Sequence, residues 1–441
     1  MKTSRLAFAL ASLILGAAAP AAYALDLVQA YRLAQANDSQ LASARAQLET
    51  VRARADSAQA ALRPSLGSSA SVQRQNLERD PGRAVNFSPI SLGLQLSLPL
   101  YRVQNVEALE QSRLQVTVSE VALQLAQQDL ILRVSQAYFD LLGSLDNLQT
   151  IQAQKRAITE QLAAARRNFE VGTATITDQQ EAQARFDLAT AQELAAQNDV
   201  EVKRAALGTL VGRSVADINV LRPGVTLQGP QPAVESNWTS AARSNNYNVQ
   251  QQRIGSEIAR REIDRQRASN SFTVDLVGSI SHQRDSSFST IGTTAMVTSA
   301  GIQIAKPLYT SGGAQARVRE AMSAFERSRS DLETAQRQAE LGARQSFYVV
   351  NSGLAQVRAL EAAERSSQLA LDSNLLGYQV GVRINIDVLN AQQQLFTTRR
   401  DLARARYETI LNGLRLRTTS GALREEDLVQ VNALLTPATP R

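Results

Sequence analysis

Cysteine is absent from all 441 residues and histidine occurs once. Without thiols the chain forms no disulfide, no zinc-thiolate site, no thiol nucleophile and no lipidated N-terminal cysteine. Aromatic residues make up only 5 %, too few for one bulky core. Ala, Gln, Leu and Arg dominate long stretches instead, a composition that suits long helices touching their neighbours along stripes. Beyond the first two dozen residues no apolar run reaches the ~20 residues that cross a bilayer as a helix, so any entry into a membrane is by strands. Neither sign of charge dominates. The 47 Lys and Arg are scattered among 41 Asp and Glu, which gives solvated helix faces and no nucleic-acid footprint. There is no nucleophile elbow, phosphate loop or metal-ligand cluster, and the lone His282 and Trp238 read as a loop and a packing residue. Catalysis and a cofactor are not expected.

What is present begins with Lys2 and Arg5, a largely apolar run over residues 6–19, and Ala22-Tyr23-Ala24 ahead of Leu25. These are the three zones of a cleavable secretory signal, so residues 1–24 are set apart from the fold. The mature chain then starts at Leu25 with 45 basic and 41 acidic residues, since the signal holds two of the 47 bases and no acid.

The remainder repeats itself once, at an offset of 208 to 209 positions. Gly93-Leu94-Gln95-Leu96 matches Gly301-Ile302-Gln303-Ile304, and Pro99-Leu100-Tyr101 matches Pro307-Leu308-Tyr309. Further on, Gln136-Ala137-Tyr138-Phe139 matches Gln345-Ser346-Phe347-Tyr348, and Val171-Gly172 with Asp178 matches Val380-Gly381 with Asp387. The expected division is a first repeat over 25–230 and a second over 231–441, with Arg222-Pro223-Gly224 and Gly229-Pro230-Gln231-Pro232 as the linker.

Each repeat opens with a helical pattern, at 39–62 in the first. Two alternating segments follow. In 90–100 every second residue is apolar and the residues between are mostly small or polar, the period of a strand with unlike faces. Its copy is expected at 298–308, and weaker alternation at Leu66, Ser68, Ala70, Val72 and at Phe272, Val274, Leu276, Gly278, Ile280 completes two hairpins. Strands of ~9 to 11 residues with leucines on one face and Ser91, Gly93, Gln95 and Ser97 on the other fit a membrane barrel with lipid outside and water inside. Four strands cannot close one, because the smallest bacterial barrels have about 8, so the barrel must be shared between chains. Tyr101 and Tyr309, just past the strands, suit an interfacial anchor or a plain turn-packing role. After Tyr101 there is no proline and a single glycine, Gly143, as far as Phe169, a helix of roughly 100 Å. A shorter helix runs over 178–210, and the scheme is copied at 315–376 and 387–416.

In this order, Leu98-Pro99-Leu100-Tyr101, Ser135-Gln136-Ala137-Tyr138-Phe139, Phe169-Glu170-Val171-Gly172, Ile176-Thr177-Asp178 and Gly377-Tyr378-Gln379-Val380-Gly381 resemble the TolC family of outer-membrane efflux and secretion proteins over essentially the whole mature chain. The resemblance implies a mixed fold, a homotrimer with a twelve-stranded transmembrane β-barrel in outer-membrane lipid, continued by a long α-helical barrel in the periplasm. It also implies a passive, gated duct for efflux or type I secretion that docks with a periplasmic adaptor protein and an inner-membrane efflux pump or secretion ATPase. The absent cysteine places the chain nearer the unlipidated branch. A structural coiled-coil protein of the cell envelope is the alternative that long Ala- and Gln-rich helices alone would permit.

Carried over residue by residue, the resemblance puts Thr177 and Asp178 at a periplasmic gate, linked to Tyr378 and Arg383 on neighbouring helices. Arg167 falls where the family can carry a gate glutamine, and that glutamine's acidic partner would fall at Leu375, which accepts no such bond. Asp387 matches the narrowest ring of the pore, with Asn390 at a second ring that is acidic in the family's best match. Spacing alone also gives Asp178 with Glu181 a capping box and Asp387 a helix N-cap.

Overall fold

The computed structural model describes residues 24–78, 82, 84–173 and 175–437; the expected signal, but for Ala24, lies outside them. Two short helices, α1 (Leu27–Asn37) and α2 (Ser39–Ala60), lead into β1 (Ser65–Val72). A small two-stranded extension, β2 (Gln75–Leu77) and β3 (Val85–Phe87), sits between β1 and β4 (Ile90–Tyr101). Then come α3 (Val103–Glu170), α4 (Ile176–Val211) and β5 (Val220–Leu221). The second copy runs α5 (Glu235–Asn245), α6 (Tyr247–Ala268), β6 (Thr273–Arg284), β7 (Thr294–Ala305), α7 (Gly313–Gln379) and α8 (Asn385–Thr419), and closes with α9 (Glu425–Asn432) and β8 (Leu435–Thr436).

The four long strands form one antiparallel sheet in the order β1-β4-β6-β7, so the two hairpins join through β4 and β6. β7 departs from expectation. It starts at Thr294 and stops at Ala305, before Pro307, whereas β4 runs on through Pro99 with a register shift against β6. Proline donates no ladder hydrogen bond, and β6 begins at Thr273, which pairs with Ala305, so it offers β7 nothing further to hold.

Residues directly opposite on paired strands share a face. Leu66, Leu96, Gly278 and Ala300 form one such row, and Leu94, Ile280 and Thr298 lie in the next. That face is exposed and apolar, with Leu92 53 %, Leu94 49 % and Ile302 64 % accessible. The other face is a ladder of hydroxyls and amides. Ser71 bonds Ser91 and Ser279 bonds Ser299, each at 2.8 Å, equivalent pairs of the two repeats. At its base Arg102 clasps Asp275 with two bonds of 2.7 Å.

With no proline and one glycine, α3 runs unbroken for 68 residues; α7, also without proline but with four glycines, runs for 67. Antiparallel hairpins α3/α4 and α7/α8 pack side by side through α3 and α8. The main core lies mid-way along α3, where Tyr138, Phe139, Leu141 and Leu142 meet α1 and the Tyr407 ring of α8. Tyr138 donates to the carbonyls of Leu25 and Asn219, and Tyr407 donates to Asp146; burial pushes both phenols far above their ordinary range. The copies have diverged here. Phe347 packs with Trp238, but Tyr348 is exposed and donates to Glu235.

Asp38 caps α2 by accepting from the Leu41 amide at 2.7 Å and pairs with Arg133 at 2.8 Å, which holds its carboxyl below the usual range. Its copy, Asn246, caps α6 and bonds the Thr419 carbonyl. On α6, Glu262 accepts from Arg265 and from Gln111 of α3, and the Arg265 bond leads in lowering its pKa to about 2. A carboxylate held low in the folded chain stabilises it fully above about pH 4.5 and loses that contribution as the pH falls towards 2. Thermal midpoints of wild type and Glu262→Gln should therefore converge between about pH 4.5 and pH 2, from a difference of at most about 3 kcal/mol. Parallel curves would rule out the linkage.

Candidate functional site

At the far end of the helices two tight turns repeat each other. Val171-Gly172 follows α3 and Val380-Gly381 follows α7, with Gly172 at φ 74° and Gly381 at φ 78°, backbone that glycine alone adopts freely. These turns and the helix ends beside them carry the candidate gate.

Thr177 is the second residue of α4 and exposed. Asp178 is the third, and its carboxylate is engaged within its own helix end. The N-cap is Thr175, whose hydroxyl and amide donate to Asp178 Oδ2 at 2.7 and 3.0 Å. The capping box thus joins Thr175 to Asp178, not Asp178 to Glu181. In α8 the equivalent of Thr175 is Ile384, which has no side-chain oxygen to cap with. Asp387 is consequently the third residue of α8 rather than its N-cap, and it faces Arg383 at 3.5 Å, one turn back. Gly377 makes room for that arginine, since a Cβ there would meet Arg383 Cγ at 2.7 Å.

Within one protomer Asp178 meets neither Tyr378 nor Arg383; the expected link is not made there. Tyr378 OH instead accepts from Asn168 Nδ2 of α3 at 3.1 Å. Arg167 is exposed, and of the α3 glutamines that cross to another helix the one nearest the tip is Gln161, which donates to Asn385 Oδ1. Asn385 is 2 % exposed and its amide reaches the Asp178 carbonyl at 3.4 Å, so one buried side chain ties α3, α4 and α8 together. Leu375 packs with Leu371, Val388 and Leu395. Asn390 accepts from Arg185 Nη2 of α4 at 3.1 Å. Asn168, Gln161, Asn385 and Arg185 are thus the cross-helix residues that sequence reasoning missed. One signal existed for Asn385: its copy in the first repeat is Ile176, and a polar residue gained at an otherwise apolar position needs a partner.

Among the described residues no group of His, Asp and Glu is placed to hold a metal, and no helix is long and apolar enough to cross a membrane. The described geometry offers a sheet with one lipid-compatible face and two long hairpins that meet in polar links at their tips.

The profile of the family described as "Outer membrane efflux protein" matches residues 30–213 and again 238–422. The chain belongs to this family. It is therefore a passive outer-membrane channel for efflux or type I secretion, with its helices in the periplasm, and not an enzyme. It is similar to the outer membrane protein TolC of Vibrio cholerae, at 30 % identity over 96 % of both chains. It is also similar to the alkaline protease secretion protein AprF of Pseudomonas aeruginosa, at 31 % identity over 93 % of this chain and 88 % of that one. Among solved structures, the membrane channel CusC superposes with a TM-score of 0.80 over 90 % of this chain and 92 % of its own, at 19 % identity, a likeness of fold. Membership removes the alternative of a structural coiled-coil protein, which would have no use for the sheet.

Proposed function

We propose that three copies close a single duct, gated at the helix tips, through which an inner-membrane efflux pump or secretion ATPase, joined by a periplasmic adaptor protein, delivers its cargo outward. The observation that carries this is the sheet: four strands with an apolar outer face and with β1 and β7 both unpaired at its edges. Three such sheets give twelve strands and leave no edge open. The helices support the same count. α4 leaves Leu188, Ala191, Ala195, Asn198 and Val202 exposed, and α7 leaves Leu341, Tyr348, Ala355, Ala362, Leu369 and Leu376 exposed. Both are spaced as seams that want a neighbouring helix, here one from the next copy. At the tips Val171, Val380, Val382 and Ile384 are 63 to 78 % exposed, an apolar edge suited to the adaptor. Nothing in this scheme calls for a cofactor or nucleic acid. We read residues 25–230 and 231–441 as its two structural repeats. The protein should stay with outer membranes through a high-salt wash and migrate at three times the monomer mass until boiled; a monomer in mild detergent would refute the trimer.

The gate, on this reading, comprises Thr177, Asp178, Tyr378 and Arg383, with Asp387 and Asn390 at the constriction. Its resting links within a protomer are Asn168 to Tyr378 and Gln161 to Asn385; contacts of Asp178 with Arg383 belong between protomers. Each link contributes about 1 kcal/mol, and breaking the buried one at Asn385 leaves a partner unsatisfied at a further ~1 to 3 kcal/mol. Tyr378→Phe combined with Asn385→Val should therefore raise single-channel conductance severalfold and admit a large antibiotic. Conductance equal to wild type in planar bilayers would remove these residues from the gate.

A further inference from the structure

We infer that the outer rim of the sheet carries a binding site for the phosphate of a lipid headgroup, formed by Arg74, His282 and Arg284. This rests on the assignment of the sheet to the membrane. Following the rows along the lipid-facing side, no position within the strands from Val274 and Ile304 up to Ala70, Leu92 and Met296 holds Asp, Glu, Lys or Arg, and the imidazole of His282 shares that last row. The next row holds Val72, Ile90, Arg284 and Thr294. The Gln73 amide bonds the Pro89 carbonyl at 2.9 Å, which extends the β1 and β4 ladder by one step. Arg74 then falls on the same side, and it is exposed.

Arg74 and Arg284 thus lie on the two strands flanking β4, Arg74 one row beyond the row that Ile90 shares with Arg284 and about 12 Å from Arg284, with His282 one row below Arg284. Six rows at two residues each span roughly 34 Å along the strand, or about 25 Å of height at the tilt of a barrel, which is the height of an apolar band. The two arginines and His282 therefore stand where the band ends on the side away from the helices. The opposite end is different. There Tyr101 stacks on Phe272 with ring centroids 4.8 Å apart, and Lys306 is the single basic residue just beyond β7.

Charges at that level meet headgroups rather than bulk water, and two guanidinium groups beside an imidazole match an anionic group. Asp285 makes only a long ion pair with Arg284, whose side chain stays 64 % exposed. It lies 3.8 Å from Arg284 Nε and spends its other oxygen on the Gly292 amide at 2.5 Å. A phosphomonoester carries about −1.5 to −2 charge and three acceptor oxygens, and arginine's fork fits two of them at once.

The full-length oligomer, reconstituted in phosphatidylcholine bilayers containing a minor fraction of phosphatidic acid and then released into mild detergent, would be assayed for the lipid that stays bound. Wild type should retain phosphatidic acid at least about tenfold above its share of the bilayer, as expected for two charged hydrogen bonds. The variant Arg74→Ala, His282→Ala, Arg284→Ala should retain it only in proportion, with its oligomer intact. Arg74→Lys with Arg284→Lys should keep most of the enrichment. Equal enrichment in the alanine variant overturns the site. Loss of the bound lipid to inorganic phosphate, but not to chloride of equal ionic strength, would make it a soluble-anion site and overturn the lipid assignment.

Discussion

Leu94→Arg should abolish the assembled channel, while Gln95→Arg, one residue along, should leave it intact. Leu94 stands opposite Ile280 near mid-height of the apolar face, half exposed in the isolated sheet. Gln95 stands opposite Gly67 and Ser279 on the hydroxyl face. An arginine turned to lipid at the bilayer midplane costs ~2 to 4 kcal/mol, whereas a lumen position tolerates charge. In a trimer the lipid-facing cost recurs three times, roughly 6 to 12 kcal/mol in all, which is as large as the whole stability of a typical domain. Leu96→Arg, next to Gly278 on the same face, should behave as Leu94→Arg does. Heat-resistant oligomer in isolated outer membranes is the readout. Equal loss in all three variants would show that the faces are wrongly assigned and that this stretch merely tolerates no arginine.

The strand faces were legible because a dyad period records which side is wet, and the long helices because α3 contains no proline to stop it. The duplication was legible because two copies keep the same turn chemistry, Val-Gly with φ positive at Gly172 and Gly381. Boundaries that depend on a partner were not. Only β6 could say where β7 ends, since proline blocks a ladder only where a ladder is offered. The capping box was displaced by three positions because Asp178 suits either N-cap or third position, and the choice fell to Thr175, whose hydroxyl caps while the carboxylate returns the bond. The cross-helix links lay beyond reach for a simpler reason. Asn168 and Tyr378 are 210 positions apart, Arg185 and Asn390 are 205, and Gln161 and Asn385 are 224, and no local period encodes a meeting at such range. Comparing the two repeats with each other is the one sequence signal that bears on them, because a link within a pair of copies breaks their symmetry.

Asp387 is the residue whose replacement should change conduction most. With three protomers around one axis, the reading proposed above sets three carboxylates about the narrowest part of an aqueous path, and such a ring attracts cations. Each carboxylate is partly compensated, because Arg383 of the same helix end stands 3.5 Å away with its side chain 58 % exposed. Arg185 adds another positive charge one turn further, held against Asn390. Block by a trivalent complex cation from the periplasmic side should therefore be real but moderate, resting on three carboxylates whose attraction of order 3 to 6 kcal/mol survives in a watery site. Asp387→Ala should raise the blocking concentration at least about 100-fold, since each 1.4 kcal/mol is a factor of ten. Arg383→Ser should lower it, by removing the compensating charge, and Asn390→Asp should lower it further by converting a dipole into a second ring of carboxylates while keeping Arg185 as its partner. All three effects should shrink as salt is raised, because exposed charges are screened within about 8 to 10 Å at ordinary ionic strength. The decisive variant is Asp387→Asn. Asparagine keeps the shape and can still serve the start of α8, so a residue that only holds the helix end would leave block unchanged; retained block at a similar concentration would take Asp387 out of the pore.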